Sequence, residues 1–221
     1  AATLTMASKF RYVEDVVRAK SLLESGLIGD VVLFENAFTA RVDMRRRWNA
    51  DPLVSGGGVL IDNGTHSVDI MRYFLGPLAA IQVIGCKQVQ DIPVEDTVRM
   101  YVRSQSGVMG SIDLSWSVNK ELPHFISVFG SEGTIQVGWK ESRYRRAADR
   151  EWTVFGSGYD KVAAFRAQLL NFARGIRGEE PLRIGLRDAL ASVEVIDKAY
   201  DALAESRWLA VESHLSDLVA L

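Results

Sequence analysis

The sequence predicts an α+β, two-layer fold: an open, mostly antiparallel mixed sheet with helices packed on one face. Two observations predict it. The middle of the chain contains a run of short alternating segments separated by turn residues, which is typical of consecutive antiparallel strands. Segments with the apolar period of amphipathic helices lie before this run and close the chain after it. Strand runs beside helices indicate layered α+β architecture.

The first elements follow from apolar periodicity and helix-stop residues. Thr3 to Ala7 is predicted as a short strand, and Val31 to Val42, which alternates, as a long one. Between them, Val13 to Glu24 is predicted as a helix that ends at Gly26. Its inward side would carry Val13, Val16, Val17 and Leu23.

A second helix is predicted from Leu60 to Leu75, after the glycine run Gly56 to Gly58. One side of it is an apolar stripe that would pack on the sheet, formed by Leu60, Ile61, Gly64, Val68, Met71 and Leu75. Gly64 costs the helix about 1 kcal/mol, so its place in the stripe indicates close packing.

The rest of the chain reads as strands and then two helices. Glu151 to Phe155 adds a further strand to those predicted at Ile81 to Lys87, Thr97 to Val102, Val108 to Ser115, Phe125 to Phe129 and Thr134 to Val137. The helices span Asp160 to Arg174 and Leu186 to Ala204. Their predicted buried residues are Val162, Phe165, Leu169 and Phe172 in the first, and Leu190, Val193 and Ile196 in the second.

Composition indicates one domain over residues 1–221. The chain is 48% hydrophobic, enough for a sizeable core, and its net charge of −2 offers no attraction to nucleic acid or an anionic membrane. One cysteine, Cys86, excludes an intrachain disulfide and suits a cytoplasmic protein. No apolar run is long enough for a transmembrane helix, and the first residues do not resemble a signal peptide.

The polar side of the Leu60 to Leu75 helix carries the candidate chemistry. Asp62, His66, Asp69 and Tyr73 follow one another at spacings of four, three and four, which places them on one face. An imidazole with a carboxylate one turn to either side can move protons, and the ordinary pKa of histidine suits a general base. We therefore assign His66 as the base, with Asp62 and Asp69 beside it. Both carboxylates are expected near the His66 ring, open to solvent.

These residues resemble a known motif. Gly56-Gly57-Gly58, Asp62, His66, Asp69 and Gly76 match the pattern of the C-terminal half of the Gfo/Idh/MocA oxidoreductases, the glucose-fructose oxidoreductase and inositol dehydrogenase family. Further matches run along the chain at Ser25 to Val31, Val94 to Thr97, Gly130 to Ile135, Arg187 to Leu190 and Ala204 to Ser206.

The resemblance implies several properties. It implies the same sheet architecture, NAD or NADP as cofactor, and oxidation of a sugar or polyol hydroxyl. It implies that Asp62 and His66 act with a lysine from a separate domain. It also implies a homo-oligomer joined through the free face of the sheet, which in this chain would include Trp116, Phe129 and Trp139 or their strand neighbours.

One departure from the family pattern limits these implications. The family's dinucleotide-binding (Rossmann) domain carries a glycine-rich turn, followed by a Glu-Lys-Pro segment that supplies the lysine. This chain contains neither Gly-x-Gly-x-x-Gly nor Glu-Lys-Pro. We therefore expect that the Rossmann domain is absent from this chain, and that the chain alone is inactive because nothing in it cradles a pyrophosphate.

Several other residues are candidates for binding. Lys9 lies where the family often has arginine, and Lys9, Arg11 and Trp48 are candidates for substrate contact. Gly57 and Gly58 could approach the nicotinamide end of the cofactor. The remaining charged or histidine positions are interpreted as solvated or incidental: Arg45 to Arg47, Arg143, Arg145, Arg146, His124 and His214.

Two alternatives stay open from the sequence. Asp62, His66 and Asp69 could instead be ligands of a divalent metal in a hydrolase or isomerase, although no second ligand cluster accompanies them. The domain could also be an oligomerisation or sugar-binding module without catalysis of its own.

Overall fold

A computed structural model describes residues 3–212 of the chain. Nine strands form one open sheet in the order β8-β7-β6-β5-β1-β4-β3-β2-β9. Their bounds are Val31–Thr39 (β1), Leu78–Gly85 (β2), Thr97–Ser104 (β3), Met109–Ser115 (β4), His124–Gly130 (β5), Gly133–Gly138 (β6), Ser142–Arg146 (β7), Thr153–Gly156 (β8) and Leu209–Ala210 (β9). Strands β1 and β4 pair in parallel and every other pair is antiparallel, so the predicted mixed, mostly antiparallel sheet is confirmed.

The helices lie against one face of this sheet. They are Glu14–Glu24 (α1), Pro52–Ser55 (α2), Val59–Leu75 (α3), Lys161–Ile176 (α4) and Leu186–Glu205 (α5), with short 3₁₀ turns at Lys9–Tyr12 and Trp48–Ala50. Helix α3 crosses the central strands β1, β3 and β4 and packs beside α5, while α1 covers β6 and β8. The candidate residues of α3 therefore stand above the middle of the sheet.

Alternation along the central strands builds the core. Phe34 of β1 lies between Gly110 of β4 and Val128 of β5, and all three point toward the helices. The predicted close approach at Gly64 is confirmed, since a Cβ there would lie 3.1 Å from the Leu114 side chain and 3.5 Å from Ile196. Leu114 belongs to β4 and Ile196 to α5, so the missing side chain lets α3 sit deep between sheet and helix.

Three parts of the sheet and its surroundings differ from the sequence prediction. Thr3 to Ala7 is not a strand: Thr5 donates to the Ile184 carbonyl (2.8 Å) and the Lys9 N–H to Ala7 (3.0 Å), which ties the segment into a turn. Strand β9, which pairs with the edge of β2, was not predicted.

Strand β7 is the third difference, because the sequence predicts a solvated basic segment at Arg143, Arg145 and Arg146, as runs of like charge usually are. Arg143 and Arg145 point to one side, where both guanidinium groups lie over the Trp152 ring, 4.5 and 5.0 Å from its centroid. Tyr144 points the other way and pairs across the sheet with Ile135. The two guanidinium groups therefore cover an aromatic ring that immediately precedes the outermost strand, β8, and the alternation of the arginines is that of a strand.

Helix α4 is present, but its predicted inward side is wrong. Val162 is 78% exposed and Leu169 is 63% exposed, and Phe165 is also exposed. The buried positions of the helix are Ala164, Gln168 and Asn171. In α5, Ile196 is buried as predicted, Leu190 is half-buried and Val193 is exposed. The apolar period identified both helices correctly but not the side that the fold covers.

The uncovered face of the sheet also differs from the expectation. Trp116 is buried, and Trp139 packs on the helix side against Phe125, with ring centroids 4.6 Å apart. Of the three expected aromatic residues only Phe129 lies on the open face, where it pairs with the exposed Leu33. No helix within residues 3–212 has both the length and the apolar character needed to cross a membrane.

Candidate functional site

The candidate residues of α3 open onto a cavity of about 290 Å³ at the amino end of that helix. Four segments meet there: the chain before the Lys9–Tyr12 turn, the Trp48–Ala50 turn, the glycine run and the first two turns of α3. The lining residues are Met6, Ala7, Ser8, Trp48, Asn49, Ser55, Gly57, Gly58, Ile61, Asp62, Thr65 and His66.

His66 is half-buried at the cavity wall. Its Nε2 atom lies 3.4 Å from the Lys9 Nζ atom, and its Nδ1 atom is buried with no hydrogen-bond partner. Burial, together with the positive charge of Lys9, lowers the pKa of His66 to about 4. The imidazole is therefore neutral at physiological pH, and burial and the Lys9 charge make it a weaker base than a free histidine. Lys9 does not line the cavity, and it contributes here through its contact with the ring.

Asp62 lines the same cavity one helical turn before His66. The residue as a whole is exposed, but its carboxyl group is partly removed from solvent, and this desolvation raises its pKa. The Trp116 indole and the charge of Lys9 act in the opposite direction and lower it. Its carboxylate makes no hydrogen bond to His66, whose Nε2 atom is in contact with Lys9 instead.

The predicted position of Asp69, beside His66 and open to solvent, is wrong. Asp69 is fully buried and its two carboxylate oxygens accept hydrogen bonds from Arg11 Nε at 3.1 and 3.0 Å. Arg11 is itself buried, and its guanidinium also lies 3.5 Å from Asp188 and over the Tyr73 ring. A carboxylate and a guanidinium can be buried together only when paired, and this pair joins the Lys9–Tyr12 turn to α3. Neither residue lines the cavity.

Phe10 holds the other side of the Lys9–Tyr12 turn. Its ring stacks on Phe38 at 4.6 Å and on Tyr159 at 5.2 Å between centroids, and meets the His66 ring edge-on at 5.5 Å. Phe10 and Arg11 together therefore determine where Lys9 stands relative to His66. The sequence analysis does not assign a role to Phe10, although a large aromatic residue directly after the candidate Lys9 was an available indication.

The glycine run has a structural explanation that the sequence did not reveal. A Cβ on Gly58 would overlap the Glu95 carbonyl oxygen, and one on Gly57 would overlap the Tyr200 hydroxyl. One carboxylate oxygen of Glu95 accepts hydrogen bonds from the Gly58 N–H, the Leu60 N–H and the Tyr200 hydroxyl, each at 3.0 Å. Glu95 thus satisfies the free amides at the start of α3. Contacts within the chain therefore require glycine at both positions, and both glycines also line the cavity.

The remaining candidates lie at the edge of the site or outside it. Trp48 lines the cavity and is 65% exposed. Arg45 is bound to Asp43, and His124 lines a different cavity. His214 falls outside the described residues. Within residues 3–212 no three His, Cys, Asp or Glu side chains are grouped as metal ligands, and Asp69 faces Arg11 instead of His66.

We predict that Gly58→Ala destabilises the fold by about 2 kcal/mol or more, because a methyl group there must displace the Glu95 backbone. Chemical denaturation measures the change in the free energy of unfolding. Gly185→Ala is the control, since its Cβ would meet no atom within 4 Å, and it should change stability by less than about 0.5 kcal/mol. Equal effects at both positions would contradict the proposed packing.

A second prediction concerns pH. Because the pKa of His66 is lowered from 6.5 to about 4 on folding, the unfolded chain binds the additional proton in this window. The free energy of unfolding should therefore fall as pH falls from about 6.5 to 4, by up to roughly 3 kcal/mol. Denaturation curves of wild type and His66→Gln, recorded across this range, isolate the contribution of His66. Parallel pH profiles of the two proteins would show that the ring is not held neutral by the fold.

Comparison with known proteins bears on the identity of this domain. Residues 16–136, more than half of the chain, match the model of the GFO/IDH/MocA C-terminal domain. D-apiose dehydrogenase of Rhizobium rhizogenes is 26% identical over 140 residues, covering 61% of this chain and 40% of that protein. Rhizopine catabolism protein MocA of Rhizobium meliloti is 25% identical over 205 residues, covering 88% of this chain and 57% of that protein.

Solved structures share the fold. A levoglucosan dehydrogenase in complex with NADH and levoglucosan superposes with a TM-score of 0.85 at 19% identity, covering 95% of this chain and 66% of that one. An aldose-aldose oxidoreductase from Caulobacter crescentus complexed with glycerol gives 0.83 at 21% identity, covering 94% and 64%. The chain thus spans about two fifths to three fifths of these two curated relatives and about two thirds of these structures. On the family match and the shared fold, the chain belongs to the Gfo/Idh/MocA oxidoreductase family, whose C-terminal domain it contains.

Proposed function

We propose that this chain is the substrate-binding and proton-transferring part of an NAD(P)-dependent oxidoreductase that oxidises a sugar or polyol hydroxyl, or reduces the corresponding ketone. The observation that carries the proposal is geometric: His66 and Asp62 line one cavity, and the Nε2 atom of His66 lies 3.4 Å from Lys9 Nζ. A cavity of about 290 Å³ is at the lower end of the range for small-molecule sites. Relatives named as dehydrogenases of D-apiose and levoglucosan support a sugar as the substrate class.

The proton step is assigned to His66. Its Nε2 atom faces Lys9 while Nδ1 is buried, so we place the substrate hydroxyl at Nε2, where it takes the position of the Lys9 ammonium. Nε2 accepts the proton of this hydroxyl while the hydride leaves the carbon that bears it. The Asp62 carboxylate, on the same cavity wall, binds a neighbouring hydroxyl and stabilises the imidazolium that forms.

The cofactor would be held mainly by a separate dinucleotide-binding domain. Gly57 and Gly58 line the cavity with backbone, so a nicotinamide ring can approach there. The sequence has no glycine-rich turn to bind the pyrophosphate, so we propose that the chain acts together with a dinucleotide-binding domain. Bound NAD or NADP supplies the hydride acceptor.

We predict that His66→Ala lowers the rate of alcohol oxidation by about 10²- to 10⁴-fold, the usual contribution of a positioned base. Asp62→Asn should also slow the reaction while leaving the melting temperature near that of wild type. The assay joins the chain to a dinucleotide-binding domain and measures reduction of NAD and of NADP with a panel of sugars. Asn63→Ala, on the same helix but outside the cavity lining, is the control and should retain activity.

Three outcomes of this assay separate the hypotheses. Near-normal turnover by His66→Ala would move the base to another group. Sugar binding without turnover of either nicotinamide would favour a binding module. Loss of activity in Asn63→Ala equal to that in His66→Ala would mean that α3 as a whole, rather than the imidazole, had been disturbed.

We further propose that copies of this chain associate through the open face of the sheet in the cytoplasm. Leu33, 48% exposed in β1, pairs with Met109 of β4 on one side and Phe129 of β5 on the other. These three residues make an apolar patch across adjacent strands of the uncovered face, and such patches favour association. Cys86 is an exposed free thiol, which suits a reducing compartment.

Leu33→Glu is predicted to shift the protein toward the monomer, because the carboxylate would be buried without a partner in the interface. Light scattering coupled to size exclusion measures the molar mass. Leu53→Glu is the control, since Leu53 is 96% exposed on α2, away from the sheet. An unchanged mass for Leu33→Glu, from a wild type that associates, would place the interface elsewhere.

A further inference from the structure

Ser8 stands immediately before the Lys9–Tyr12 turn, in the usual position of a capping residue, yet its hydroxyl makes no capping hydrogen bond. The residue is 1% exposed, and its Oγ atom has no hydrogen-bond partner in the protein. A buried hydroxyl without a partner destabilises the folded state, and alanine would fill the same space without that cost. The hydroxyl therefore contributes nothing evident to the fold.

The surroundings of Ser8 indicate what the hydroxyl does instead. Six buried side-chain atoms in the described part of the chain have no partner, and only Ser8 Oγ and His66 Nδ1 belong to residues that line the cavity. Ser55, the other serine there, is satisfied, because its hydroxyl donates to backbone carbonyls of Asp51 and Gly57. Ser8 lines the cavity while its Oγ atom is covered and unpaired, so rotation about the Cα–Cβ bond can bring the hydroxyl to a ligand in the cavity.

We propose that Ser8 Oγ hydrogen-bonds a hydroxyl of the substrate next to the one that is oxidised, and so contributes to the choice of sugar. This proposal rests on the proposed function of the cavity. A serine hydroxyl can both donate and accept, as a sugar hydroxyl can, so the two groups can satisfy each other completely. Asp62 and Ser8 come from different segments of the cavity wall, so together they can fix the orientation of a polyol at His66.

The experiment compares Ser8→Ala with Ser67→Ala. Ser67 is a matched control, since it is fully buried, its hydroxyl also lacks a partner, and it does not line the cavity. Both substitutions should leave the melting temperature unchanged or raise it by roughly 2–4 °C, because each removes an unsatisfied hydroxyl. Binding of glycerol, D-xylose and levoglucosan to the 221-residue chain is measured by NMR titration. Only Ser8→Ala should weaken binding, by about 3- to 10-fold.

The possible results distinguish the proposed role of Ser8 from the proposed function of the cavity. A lower melting temperature for Ser8→Ala would mean that the hydroxyl serves the fold, and unchanged sugar affinity in this variant would mean that it does not contact the ligand. Either result overturns the role of Ser8 and leaves the proposed function standing. Failure of all three probes to bind the wild-type chain overturns both. Deoxy sugars add a positive test, since the analogue that lacks the contacted hydroxyl should bind wild type and Ser8→Ala equally.

Discussion

The position of the candidate site depends on the way Glu95 fixes the start of α3. A helix begins with free amide groups, and here one carboxylate oxygen of Glu95 accepts hydrogen bonds from two of them, Gly58 and Leu60, and from the Tyr200 hydroxyl. Side chains on Gly57 and Gly58 would overlap these same partners. Because Asp62 and His66 lie in the first two turns, a displaced or frayed helix start would move both. The glycine run and Glu95 are thus one structural unit, although nearly forty residues of chain separate them.

A second constraint, the docking of the Lys9–Tyr12 turn, determines the electrostatics of the site. Asp69 and Arg11 form a buried ion pair, and Phe10 inserts between aromatic rings and His66. The turn consequently holds Lys9 against the imidazole, where burial and the lysine charge lower the pKa of His66. Lys9, which does not line the cavity, therefore adds to the effect of burial in lowering the pKa of His66. Asp69 is paired with Arg11, so its carboxylate makes no contact with His66.

The walls of the cavity carry different chemical groups. The α3 side presents Asp62 and His66, while the segment before the turn presents the unsatisfied hydroxyl of Ser8, and Trp48 stands exposed at the mouth. Such a mixture of an exposed indole and a few polar groups suits the alternating apolar and hydroxyl faces of a sugar. The Leu33 patch lies on the open face of the sheet, opposite the helix layer that carries the cavity.

The sequence by itself determined the fold class, nearly all the central strands, the extent of α3 and the face on which Asp62 and His66 lie, because period and turn residues are local properties. It also carried the family motif. Only the tertiary structure decided which partners these residues have. Asp69 and His66 share a helix face on the wheel, but a buried arginine from another segment claims the carboxylate, and no local pattern encodes that contact. The glycines, Glu95 and Tyr200 are likewise distant in sequence. In α4 the apolar period marked the helix correctly, whereas the side that is buried depends on what the rest of the fold places against it.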